Sequence, residues 1–155
     1  ILFTEQAFKN LVNLLIDKIE EWKYQAILNL QTSLLVNQVA AHHDILVALL
    51  ARDLEEALGK SPWRVGHFVS LAGFIRRKWS NGEDILLLIR DTYKGIGYHG
   101  YHIQPLENVR KALIRDDGRA GGILLIVESD YAQQVEREIR NIGLEIALWD
   151  NGSPF

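Results

Sequence analysis

The segment ILLLI at residues 85–89 lies between Asp84 and Arg90, and it decides how the rest of the chain is interpreted. Five successive apolar residues bounded by charged ones are typical of a strand buried on both faces. The segments Gly122–Val127 and Leu144–Trp149 have the same apolar character. The sequence therefore predicts three buried strands in its second half.

Helical patterns separate these three strands. Pro105 opens one helix, because proline fits the first turn, and Ser129-Asp130 caps a second helix that stops at Gly143. A strand-helix-strand-helix-strand order with short links predicts parallel strands joined by right-handed crossovers. The predicted fold class is mixed α/β, with long N-terminal helices followed by a small parallel β-α-β-α-β sheet.

The N-terminal part has a different composition, since Gly59 is the first glycine and Pro62 the first proline. Glycine usually serves where φ is positive and proline interrupts helices, so a stretch without either predicts long helix. Thr4 can cap the first helix. An antiparallel hairpin is preferred over one long rod. Its apolar seam predicts self-association through residues 1–58 and consists of Phe8, Val12, Leu15, Ile19, Trp22 and Ala26.

The linker between these parts is also interpreted as helical. Ser61-Pro62 has the form of a helix start, and Gly66, Ser70 and Gly73 would form one smooth face of that helix. The predicted domains are a helical hairpin or extension at residues 1–60 and a small α/β domain with an entry helix at residues 61–155. The two are expected to form one compact unit.

Composition limits the function classes. The absence of cysteine excludes disulfide scaffolds, thiolate metal sites and cysteine nucleophiles, and it fits a reducing compartment. No membrane span and no signal peptide are recognised, so a cytoplasmic location and no membrane partner are predicted. Residues 61–115 contain nine Lys or Arg against four Asp or Glu, a net charge of +5 in a chain whose total is -3. An anionic partner is expected to bind this basic region.

The long connection after the first predicted strand is the main candidate site. It spans residues 91–104 and reads DTYKGIGYHGYHIQ. In parallel sheets, ligands bind outside the carboxyl ends of the strands, where this connection begins. Gly95, Gly97 and Gly100 spell G-x-G-x-x-G and resemble the dinucleotide-binding fingerprint, although a flexible glycine-rich loop would have the same sequence.

The same region combines aromatic rings with cations. Tyr93, Tyr98 and Tyr101 could stack on bases while nearby cations meet phosphates, which predicts a nucleic acid or another phosphate-containing ligand. Cations at a helix C-terminus are an alternative explanation for the cluster at residues 76–78. The candidate cations are Lys94, Arg76, Arg77, Lys78, Arg110, Lys111 and Arg115.

Candidates for catalysis are few. Glu128, Asp130 and Asp150 follow strands and could form a carboxylate cluster for Mg²⁺, although such residues also cap helices. His99 and His102 could act as acid or base near neutral pH. A zinc site using these two histidines with residues 42–44 is weighed and not favoured. No cofactor is predicted, and a divalent metal enters only if the protein is an enzyme.

One family resemblance follows from the order of elements. The order ILLLIRD, helix, GGILLIVES, helix, LEIALWD is similar to the latter half of Mrr-type restriction-endonuclease-like domains, over about 65 residues. In that family Glu or Gln, any residue and Lys form a triplet on the strand before the first of these helices. Here that place reads Leu88-Ile89-Arg90, without the carboxylate. The resemblance implies a binding module that does not cleave.

The leading prediction is a non-enzymatic binding or regulatory module, with a helical association region and an α/β half that accepts an anion or nucleic acid. The alternative is a metal-dependent nuclease-like or nucleotide-acting enzyme of restriction-endonuclease-like or Rossmann-like architecture. No complete catalytic constellation supports that alternative.

Overall fold

A computed structural model describes residues 3–38 and 45–147. It is a mixed α/β structure whose five strands form one antiparallel sheet, in the order β4-β3-β2-β1-β5. The strands are β1 (Gln25–Gln31), β2 (Gly66–Trp79), β3 (Gly82–Arg90), β4 (Tyr101–Pro105) and β5 (Gly122–Ile126). The helices are α1 (Glu5–Asp17), α2 (Ile19–Trp22), α3 (Ile45–Leu50), α4 (Leu54–Leu58), α5 (Leu106–Ile114) and α6 (Ala132–Asn141), with 3-10 turns at Thr32–Leu34 and Ser129–Tyr131.

The predicted parallel sheet is wrong. β1 with β2, β2 with β3, and β3 with β4 all pair in antiparallel register. The segment ILLLI does lie in a strand, β3, and four of its five residues are buried. Only Ser80 and Asn81 separate β2 from β3. A two-residue link can join only antiparallel neighbours, because a parallel pair needs a crossover of a dozen residues or more.

The second half keeps two predicted helices and two of the three predicted strands. α5 follows Pro105, as expected, and α6 follows the turn that begins at Ser129. The third predicted strand, Leu144–Trp149, is not formed over residues 144–147, and its last two residues lie outside the described residues. The apolar character of that segment therefore does not indicate a strand.

The predicted long N-terminal helices are also wrong. Thr4 caps α1 by accepting a hydrogen bond from the Ala7 amide at 3.1 Å, as expected. Helical structure then ends at Lys23, which has a φ of 46°, and Gln25–Gln31 is a strand. Glycine and proline are as rare in strand interiors as in helix interiors, so their absence does not separate the two.

The helix predicted after Ser61-Pro62 is instead β2, which pairs with β1 on one side and β3 on the other. The pairing register of β2 shifts between Leu71 and Gly73. Such a bulge exchanges the two faces of a strand, because side chains alternate with a period of two. The shift explains why this segment does not show the simple alternation of a strand in its sequence.

The chain divides into two compact units, Ile1–Gln25 with Leu124–Phe155, and Ala26–Ile123. Within the first unit, Lys18 pairs with Glu138 at 3.6 Å, and Gln134 donates to Glu21 at 2.7 Å. The predicted division into residues 1–60 and 61–155 stays a prediction about domains. Five of the six residues of the predicted association seam are buried, so the seam is not an open docking face: Phe8, Val12, Leu15, Trp22 and Ala26. Self-association through this region stays a prediction.

Unit Ala26–Ile123 contains the candidate site. Helix α5 packs on β3 and β4. A cluster of buried apolar side chains connects α3 and α4 to the sheet, and its buried members are Val36, Ala48, Leu54, Leu86 and Ile103. In the part of the chain that the structure describes, no helix is long and apolar enough to cross a membrane.

Candidate functional site

A surface pocket of about 490 Å³ opens where β3 ends and the chain approaches β2. The antiparallel register brings these segments together, since Ser70 pairs with Arg90 and the two strands then continue toward the pocket. The pocket is lined by Pro62, Trp63, Tyr93, Lys94, Gly95 and Ile96. It lies at the start of the connection that the sequence predicts as a site.

Three aromatic rings form one wall of the site. His67 stacks on Tyr93 with ring centroids 5.5 Å apart and an interplanar angle of 25°. Trp63 contacts both rings, with centroids 5.0 Å from His67 and 5.7 Å from Tyr93. Each ring touches the other two, so none can turn without displacing a neighbour. The structure thus holds a fixed aromatic cluster beside the pocket.

Asp91 anchors the histidine of this cluster. Nε2 of His67 lies 3.0 Å from Oδ1 and 2.9 Å from Oδ2 of Asp91. A carboxylate only accepts hydrogen bonds, so Nε2 of His67 carries a proton. The Asp91 side chain is 2% exposed and that of His67 13%, which keeps water from competing for this pair. Asp91 therefore fixes both the orientation and the tautomer of His67.

The pKa of Asp91 lies below the usual aspartate value. Burial alone would raise that pKa, but hydrogen bonds from His67 and the Tyr93 amide lower it, as does the electrostatic attraction of His67. The lowering contributions prevail, so Asp91 is a carboxylate at neutral pH. The site has a permanent negative charge beneath its aromatic wall.

Buried hydrogen bonds connect Val36, Gln104 and His102. Gln104 is fully buried, and its side-chain amide accepts from the Val36 amide at 2.8 Å and donates to the Val36 carbonyl at 2.9 Å. This orientation presents Nε2 of Gln104 to Nδ1 of His102 at 3.1 Å, and that nitrogen accepts. His102 is therefore a buried residue whose ring is oriented by Gln104, and its role as an acid or base stays a prediction.

The connection after β3 is shorter and more ordered than predicted. It spans residues 91–100, because β4 begins at Tyr101. The Asp91 amide donates to the Gly100 carbonyl at 2.7 Å, and the Gly100 amide donates to the Ile96 carbonyl at 2.9 Å. These bonds close the loop on itself and hold Ile96 in a buried position.

The glycines of the loop serve this closure. Gly97 and Gly100 have φ values of 58° and 92°, and a Cβ on either would collide with a backbone carbonyl, that of Tyr101 or Asp91 respectively. A strand follows the loop, whereas the dinucleotide-binding fingerprint needs a helix N-terminus for the pyrophosphate. The fingerprint interpretation, and with it the Rossmann-like architecture, is wrong. Gly95 lines the pocket and faces open space.

Lys94 is the cation of the pocket. It is exposed, and no ion pair among the described residues includes it. The opposite holds for Arg110 and Lys111, which pair with Glu107 at 2.6 and 3.8 Å. The single Glu107 carboxylate offsets part of their positive charge, and their role in an anion site stays a prediction.

The cluster at residues 76–78 lies on β2 and not at a helix C-terminus. Arg77 is buried, pairs with Asp84, and donates to the Ala48 carbonyl at 3.2 Å. Arg76 and Lys78 are exposed on the same strand. Arg77 thus connects α3 to the hairpin of β2 and β3, and the cluster does not join the pocket.

The remaining candidates do not line this pocket or are not described. Tyr98 and His99 are exposed and contact each other, with ring centroids 4.6 Å apart. Glu128 and Asp130 are exposed at a 3-10 turn that belongs to the other unit. Asp150 and residues 42–44 lie outside the described residues. In the described ranges no three His, Cys, Asp or Glu side chains are grouped to hold a metal ion.

The sequence does not indicate two residues of the site, Trp63 and His67, whereas Asp91 is the first residue of the connection predicted as a site. A helix at residues 61–79 gives no reason to place the side chains of Trp63 and His67 beside the loop after β3. A usable signal was Asn81-Gly82, which favours a hairpin turn and therefore strands on both sides. A helix and a strand both place Trp63 and His67 on one face. Only an antiparallel hairpin of β2 with β3 also brings Asp91 and Tyr93 next to His67.

The fold and the site define a mixed α/β protein with an antiparallel sheet and an aromatic surface pocket carrying one lysine. The chain belongs to the DUF6885 family, a family of unknown function whose model matches residues 1–150. No curated protein and no solved structure matches the chain.

Proposed function

We propose that this protein is a non-enzymatic binding module that takes a small anionic ligand in the pocket between residues 62–63 and 93–96. The observation that carries the proposal is an exposed Lys94 ammonium at the rim of an otherwise mainly apolar pocket. Small-molecule sites usually combine apolar walls with a few polar groups that orient the ligand. A single cation in that setting selects for a negative charge.

The size of the pocket favours a small ligand over a nucleic-acid duplex. About 490 Å³ lies within the range of pockets that enclose one small molecule. Binding a nucleic-acid backbone would require several unpaired cations close together on the protein surface, because each phosphate carries a negative charge. Arg77, Arg110 and Lys111 are instead paired with carboxylates of this chain.

The fluorescent anion 1-anilinonaphthalene-8-sulfonate is a suitable probe. Lys94→Gln is expected to weaken its binding about tenfold, the scale of a single charge-assisted contact. Lys94→Arg keeps the charge and is expected to keep most of the affinity. The matched control is Lys78→Gln, which removes an exposed charge from β2 and should leave binding unchanged. Equal affinities for all four proteins would rule out this proposal.

A catalytic function for the same pocket has one observation in its favour. The Asp91 carboxylate orients His67 as carboxylates orient catalytic histidines, and an oriented histidine can act as a general base. Hydrolysis of p-nitrophenyl acetate distinguishes the two functions. The binding module predicts no hydrolysis above the buffer rate, whereas an enzyme predicts turnover that His67→Gln abolishes.

A further inference from the structure

We infer that the ligand of the Lys94 pocket carries a planar ring next to its anionic group, and that the ring stacks on the aromatic wall formed by Trp63, His67 and Tyr93. This inference rests on the proposed function, since it names the chemical class of the ligand for the same pocket. It adds a requirement that an anion site alone does not have.

The exposure of Tyr93 is the first step of the argument. Its side chain is 57% exposed even though the ring contacts both His67 and Trp63. Most large aromatic side chains with such neighbours are covered, because covering them removes apolar surface from water. An exposed ring that is already fixed in place can stack on a ligand with little loss of its own conformational entropy.

Asp91 holds two residues of the wall at once. Its carboxylate accepts from Nε2 of His67, and Oδ1 also accepts from the Tyr93 backbone amide at 2.8 Å. One buried carboxylate therefore fixes the imidazole that supports the Tyr93 ring and the backbone that carries it. Asp91 is a positioning residue, since it acts on the ligand only through His67 and Tyr93.

The position of Lys94 sets the second requirement. It follows Tyr93 directly in the chain, and both line the pocket. A ligand that reaches both residues has its charge and its ring within one small molecule. Nucleotides and aromatic carboxylates share this chemistry, and the geometry of the wall does not depend on which of them binds.

Isothermal titration with flat and saturated anions tests the inference on the whole chain. One arm compares AMP with ribose 5-phosphate, and the other compares indole-3-acetate with cyclohexanecarboxylate. In at least one arm the flat anion is expected to bind about tenfold more tightly, the scale of one stacking contact. The arm with the larger effect identifies the source of the ligand, phosphate or carboxylate.

Three variants assign the effect to the wall. Tyr93→Ala is expected to remove the preference for flat anions, and Tyr93→Phe to retain it. Asp91→Asn is expected to weaken flat anions several-fold and to leave saturated ones unchanged, together with a change in the ¹⁵N shifts of the His67 ring. A merely structural role for Asp91 would weaken both classes of anion equally.

The outcomes separate this inference from the proposed function. Binding that depends on Lys94 but is equal for flat and saturated anions overturns the planar-ring inference and leaves the anion site standing. A preference for flat anions that survives Tyr93→Ala also overturns the inference. No binding of any of the four anions overturns both.

Discussion

Two glycine-containing loops of this protein differ in whether their cations are paired with a carboxylate. The loop at residues 91–100 and the loop at residues 115–121 are both rich in glycine, and each contains an arginine or lysine close to an aspartate. In the first, Lys94 stays exposed at a pocket. In the second, the charged groups of Arg115 and Asp117 bind each other.

The second loop binds tightly to the sheet. The Arg115 guanidinium donates to Asp117 and, at 3.2 Å, to the side-chain oxygen of Asn29 on β1. The Asp116 amide donates to the side chain of Gln31 at 3.0 Å. Polar groups on β1 therefore provide most of its partners, and the loop closes one part of the fold.

Whether a loop can form an anion site depends on whether its cations are already paired. Composition marks both loops as candidates for binding an anion, because both offer cations and glycines. Only the partners of each charge separate them, since a cation that already has a carboxylate gains little from a ligand. The predictions below test this distinction, beginning with the change expected to have the largest effect.

Gly121→Ala should cause the largest loss of stability. A Cβ at Gly121 would collide with the backbone carbonyls of Leu113 and Asn29, which cannot move independently. We expect a loss of about 3 kcal/mol in the free energy of unfolding, measured by urea denaturation. The matched control is Gly95→Ala in the pocket loop, where a Cβ meets nothing within 4 Å and a change within about 0.5 kcal/mol is expected. Similar losses for both would show that the two loops are equally packed.

Removing the Asp91 carboxylate should have the second largest effect. Asp91→Ala leaves the Nε2–H of His67 and the Tyr93 amide without their acceptor in a buried place. The expected cost is about 2 kcal/mol in the free energy of unfolding. Thr92→Ala, at the next and exposed position, is the control and should be nearly neutral. An equal effect of both changes would contradict the anchoring role of Asp91.

The smallest expected effect is the dependence of stability on acid pH. The hydrogen bond from Arg115 lowers the pKa of Asp117 from 3.8 to about 2. A lowered folded-state pKa stabilises the fold above the unfolded value of 3.8, and this contribution is lost as pH falls toward about 2. The difference in urea midpoint between the native chain and Asp117→Asn should therefore shrink between about pH 5 and about pH 2. A difference that stays constant over this range would argue against the ion pair.

Part of the site was accessible from the sequence. The loop after β3, Lys94 and Gly95 were all predicted, because a long connection rich in aromatic and charged residues is rarely only a link. Trp63 and His67 were not predicted, since they meet the loop after β3 only because β2 folds back along β3. The contact of His67 with Asp91 joins residues 24 positions apart, and no local pattern specifies it.

The sequence by itself determined the local features of this protein. Thr4 starts α1, Pro105 precedes α5, and the apolar run at residues 85–89 forms a strand, because capping, proline geometry and apolar runs act within a few residues. Tertiary structure alone decided that the strands are antiparallel and that residues 66–79 form one of them. The side chains of residues 66–79 are compatible with a helix or a strand. The strand forms because β1 and β3 provide hydrogen-bond partners for its backbone amides and carbonyls.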